Sequence, residues 1–140
     1  MAHRNQLLKY IVAGIVTVII HLIIAIVHGV AHRKLGIELS FLQKLFVISI
    51  ITVAPILAMI LLPTRAFVTG AALLVFSLTG SLLFGILYHF VIHSNDHVFH
   101  LPASRWKLPF QITAVLLALS ELVGLWIGAQ ALLIRDKVDS

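Results

Sequence analysis

Polar and hydrophobic positions divide the chain into four long apolar runs joined by short polar connectors. The first lacks Asp, Glu, Lys and Arg between Lys9 and Arg33, the second between Lys44 and Arg65, and the third from Ala66 to His93. The fourth extends from Leu108 to Ile134 and is broken only by Glu121. A helix needs roughly 20 apolar residues to cross a bilayer, and each run meets that length. The pattern therefore predicts helices over residues 7–32, 41–62, 66–93 and 108–134.

Local signals support these boundaries. Ser40 and Gln43 have the S-x-x-Q spacing of a capping box ahead of the second helix. Pro55 is expected to kink that helix and Pro63 to end it. Pro102 bars a long extension of the third helix. Trp106 and Lys107 mark a membrane surface, and Pro109 suits the first turn of the fourth helix. The first run is too long for a typical signal-peptide core and carries His21 and His28, so it is read as a retained helix. Short connectors make neighbouring helices antiparallel. The expected fold is one domain, an all-α, integral membrane four-helix up-down bundle. Its partner by composition is membrane lipid, with other membrane subunits or a homo-oligomer as further expectations. The recurring glycines, among them Gly14, Gly70, Gly124 and Gly128, are read as points of close helix packing.

Composition agrees with a multi-pass membrane protein. Of 140 residues, 61% are hydrophobic and 11% charged, too few charges to coat a soluble surface. The absence of cysteine excludes disulfides, thiolate zinc sites and iron–sulfur clusters. The formal charge of +5 comes from residues in connectors, where Lys and Arg meet lipid headgroups, so nucleic acid is not an expected partner. Those cations divide evenly between the two ends of the bundle, which leaves the orientation open.

Histidine changes the picture. The chain holds 8, a large number for so apolar a sequence. His3 lies in the N-terminal tail. His21, His28 and His32 are separated by steps that return to one face of a helix. His89 and His93 have the H-x-x-x-H spacing that can grip one ion, and His97 and His100 follow. In an up-down bundle the first and third helices end on the same side, so the two groups converge there. Imidazole suits iron, copper and zinc. Eleven helical residues rise about 16 Å, so His21 and His32 cannot share an ion. The expected ligands are His28, His32, His93 and His97, with His100 beside them and Asp96 as a carboxylate ligand or an orienting group. Glu121 is placed at the depth of His21. An intramembrane carboxylate is costly, which makes it a functional candidate that could pair with His21, relay a proton or bind a deeper ion.

Four functional readings follow. The first is a membrane metalloprotein, read as a metal-dependent redox or hydrolytic enzyme, with Glu121 and Asp96 in catalytic roles and a lipid-soluble substrate such as an acyl chain or quinone. The second is a b-type cytochrome in which His21 and His89 bind one haem axially, and His32 and His100 a second. The third is a metal or proton transporter, and the fourth an accessory subunit of a membrane complex. The H-x-x-x-H spacing resembles that of membrane desaturases and hydroxylases. The chain lacks their adjacent-histidine boxes and is much shorter, so membership is not assigned.

Overall fold

The structure is a computed structural model that describes residues 2–139, with side chains described from 5 to 134. Among the described residues all regular structure is helical, and four helices are long and apolar enough to cross a membrane. We number them α1 (Ala2–Lys34), α2 (Phe41–Leu61), α3 (Phe67–Val91) and α4 (Lys107–Asp139).

Contacts fall into three levels that fix the up-down arrangement. At one end, Gly14 of α1 faces Leu62 and Leu74, while Gly128 of α4 faces Val75. In the middle, His21, Ile51, Ser81 and Glu121 meet, one residue from each helix. At the other end, His28 of α1 meets His89 of α3 and Thr113 of α4. Only antiparallel neighbours can produce this order. The outward faces carry Ile26, Phe76, Leu83 and Trp126, all exposed, whereas Thr17, His21, Ser77, Ser81 and Glu121 are buried. Polar groups inside and apolar groups outside is the distribution a bilayer imposes.

Close approach explains the glycines. A Cβ on Gly70 would lie 2.8 Å from the backbone nitrogen of Leu62, with no flexible side chain to give way. We expect Gly70→Ala to lower stability by about 1–3 kcal/mol, the usual cost of overpacking, read as a lower melting temperature in detergent. Gly36 ends α1 with φ +70°. Ile37 N–H donates to His32 C=O, and Gly36 N–H to Arg33 C=O, the paired bonds of a Schellman cap.

Two helices leave regular α geometry next to the polar interior. The Ser40–Gln43 capping box forms as expected at the start of α2. Pro55 has no N–H for the carbonyl of Ile51 and crowds it. In the preceding segment, Val47–Val53, α2 opens into π-helix rather than making a simple kink. The imidazole of His21 supplies a donor to that carbonyl, with Nε2 at 3.2 Å. The end of α3 is likewise π-helical from Leu87 to Val91, where Ile92 N–H reaches back to Leu87 C=O at 2.7 Å.

The segment between α3 and α4 folds back over the bundle. Val98 N–H donates to His89 C=O, and the Gln111 amide donates to Val98 C=O. Val98 and Leu101 are thereby buried with Ala31, Ile37, Phe110 and Ala114. This apolar cap encloses the histidine-rich end and carries Asp96 onto it.

Candidate metal centre

Three buried histidines come together: His28 and His32 from α1, and His89 from the π-helical end of α3. One ring nitrogen from each lies within 4.8 Å of the other two. Phe110, fully buried, packs against all three rings with centroid separations of 4.5, 4.9 and 5.3 Å.

Hydrogen bonds behind the rings decide which nitrogens are free. Nδ1 of His89 lies 3.1 Å from the Asp96 carbonyl, which can only accept, so Nδ1 carries the proton and Nε2 the lone pair. Thr113 Oγ1 donates to the Pro109 carbonyl at 2.7 Å, and therefore accepts the Nδ1 proton of His28 at 2.9 Å. Nε2 of His28 then also carries a lone pair. The two Nε2 atoms face one another 3.2 Å apart. Opposed lone pairs repel, and a cation between them removes the repulsion. Two nitrogens bound to one tetrahedral zinc at about 2.0–2.1 Å stand roughly 3.3–3.4 Å apart, which matches the observed gap.

Asp96 lies behind two of the rings. Its Oδ1 is 3.1 Å from Nε2 of His32 and 3.2 Å from Nδ1 of His89. Burial pushes the Asp96 carboxyl up, but the contacts with His32 and His89 outweigh it and hold the group below the ordinary carboxylate range. A carboxylate that grips the far nitrogen of a ligating imidazole is the usual orienting device of metal sites. Nδ1 of His32 and Oδ2 of Asp96 are buried without a hydrogen-bond partner. Unpartnered polar atoms around a set of lone pairs fit a centre that an ion completes.

The expected grouping of His28 and His32 with His93 and His97 is not the one formed. The helix ends at Val91, and Ile92 is extended, so His89 and His93 do not share a helical face. His89 turns inward and His93 is exposed. His93, His97 and His100 gather separately, with ring centroids 4.6–5.1 Å apart. Both nitrogens of His97 are engaged, one with the Phe90 carbonyl and one with Phe99 N–H and His100. The rings expected to flank a haem also take other partners. His21 pairs with Ile51 and faces Glu121, His89 meets His28 and Asp96, and His100 meets His97 rather than His32. The side chain of His3 is outside the described ones.

Glu121 reaches the depth of His21, as expected. Its Oε1 is 3.7 Å from Nδ1 of His21 and accepts a hydrogen bond from Ser81. Since Nε2 of His21 donates to Ile51, Nδ1 presents its lone pair toward the carboxyl.

A cavity of about 520 Å³ connects these groups. His28, His32 and His89 line its wall, with Glu121, Ser81 and Ile51 among its other lining residues. Phe110 is not in that lining, so it closes the histidine cluster on a different side. The cavity exists because α1 meets α2 chiefly through Ala54–Leu61, leaving a gap beside the Phe41–Val53 half. Thr113, Ser81 and Phe110 escaped the sequence reading, since isolated hydroxyls and a phenylalanine in apolar helices carry no signal of their own. Comparison with known proteins gives no match: no protein-family model, no curated protein and no solved structure is significantly similar to this chain.

Proposed function

We propose that the protein is an integral membrane metalloprotein, and a metal-dependent enzyme acting on a lipid-soluble molecule held in the cavity. The observation that carries this reading is the pair of buried Nε2 atoms of His28 and His89 facing each other at 3.2 Å, with their opposite nitrogens tied to Thr113 and Asp96. His28, His32 and His89 would hold the ion. Three neutral imidazoles suit zinc, iron or copper, and three protein ligands leave a position free for a substrate or water. The ion would supply Lewis-acid or redox chemistry at the cavity wall. Asp96 is assigned as a positioning residue for His32 and His89. Glu121, lining the same cavity and held by Ser81, is assigned as the group that takes up or delivers a proton.

The test uses full-length protein in lipid nanodiscs, either loaded with zinc, iron or copper or stripped by chelation. Each sample is incubated with a total membrane-lipid extract and followed by mass spectrometry, with and without a reductant. Metal-dependent loss of one lipid species is expected, and dependence on the reductant separates redox from hydrolytic chemistry. Glu121→Gln should retain the ion and lose turnover by about 100-fold or more, the usual contribution of general acid–base catalysis. Identical lipid profiles with loaded and stripped protein would contradict the enzyme assignment.

A further inference from the structure

We infer that the cavity binds a single long hydrocarbon chain ending in a carboxylate, taken in sideways between α1 and α2 with its head group at Arg33 and Lys44. This rests on the reading above that the cavity serves the histidine centre.

The lining has two zones. Arg33, Glu38 and Lys44 are exposed at the mouth, whereas Ala25, Val47, Ile51, Phe84 and Leu117 form an apolar interior. Eight helical residues separate Arg33 from Ala25, a rise of about 12 Å, and the seven from Lys44 to Ile51 rise about 10 Å. The slot continues past these residues to Ser81 and Glu121, and so runs from the mouth to the middle level of the bundle. A chain lying in it passes the imidazoles along one wall.

The opening faces the bilayer. The Phe41–Val53 half of α2 is packed only loosely against α1 apart from the His21–Ile51 hydrogen bond at its inner end, and Gly29 on the α1 wall has nothing within 4 Å of where a Cβ would lie. The mouth carries two cations and one anion, a net charge of one that complements a singly charged head. Arg is suited to a carboxylate because its planar donors engage both oxygens. A neutral lipid would make no use of that charge.

Binding of a radiolabelled saturated fatty acid to the purified full-length protein tests this, with the alcohol of the same chain length and a two-chain anionic phospholipid as competitors. Metal content and melting temperature are recorded for every sample. The acid is expected to bind at least tenfold more tightly than the alcohol, since a hydrogen bond to a charged group contributes about 1.5–3 kcal/mol. The double variant R33Q/K44Q should bring the acid to the affinity of the alcohol. Gly29→Leu, whose Cβ enters open space on the cavity wall, should abolish binding of both at an unchanged melting temperature. Equal binding of acid and alcohol, stronger displacement by the phospholipid than by the unlabelled acid, or an unchanged affinity in either variant would overturn the inference. The two readings fail separately. Loss of the ion without loss of Arg33- and Lys44-dependent binding would remove the metal assignment alone, and an ion retained without selective binding would remove the ligand assignment alone.

Discussion

Replacing His89 with Ala is expected to reduce bound metal from about one ion per chain to background, whereas His93→Ala leaves it unchanged. The contrast follows from the end of α3. His89 presents Nε2 to His28 at 3.2 Å and its other nitrogen to Asp96, so its removal takes away a donor and also one anchor of the loop carboxylate. His93, one helical turn further on by sequence, is beyond the last π-helical residue and exposed. Elemental analysis of both variants, purified side by side with the parent, reads the difference. Retention by His89→Ala together with loss by His93→Ala would restore the grouping that spacing alone suggests.

The second large effect concerns groups that touch no ion. Asp96→Asn keeps the shape of the side chain but removes its charge, and Thr113→Val removes the acceptor that fixes the His28 proton on Nδ1. Each is expected to weaken metal affinity by about 10–100-fold, the usual consequence of losing a group that orients a ligand. Competition with a chromophoric chelator measures it. Thr113→Val is the sharper case. The hydroxyl is buried in the first turns of α4 and its own proton goes to Pro109, so its loss changes little except the tautomer of His28. Unchanged affinity in both variants would mean that the rings are held by packing against Phe110 alone.

The four helices were legible because a bilayer demands uninterrupted apolar length, and few sequences provide it by accident. The Ser40–Gln43 box was legible because both of its bonds are local. So was the shared face of His21, His28 and His32, since α1 is a regular helix and its periodicity fixes the direction of each side chain. The same logic failed at His89 and His93. A π-helical turn and an extended Ile92 break the period there, beside the loop that Val98 and Gln111 tie to the bundle. Tertiary contacts of that kind leave no trace in spacing. Thr113 was invisible for a related reason, since its partner is 85 positions away. The depth match of His21 and Glu121 was readable from helix rise alone. Ser81 and the Ile51 carbonyl, which complete that group, became apparent only once all four helices were in place.

The most direct test of the central claim is X-ray absorption at the metal edge of the loaded protein. The predicted spectrum for zinc has a first shell of nitrogen or oxygen at about 2.0–2.1 Å, with outer-ring scattering from three imidazoles. That scattering should disappear when His28, His32 and His89 are replaced together. A first shell without imidazole scattering, or one that the triple replacement leaves intact, would place the ion elsewhere and contradict the account.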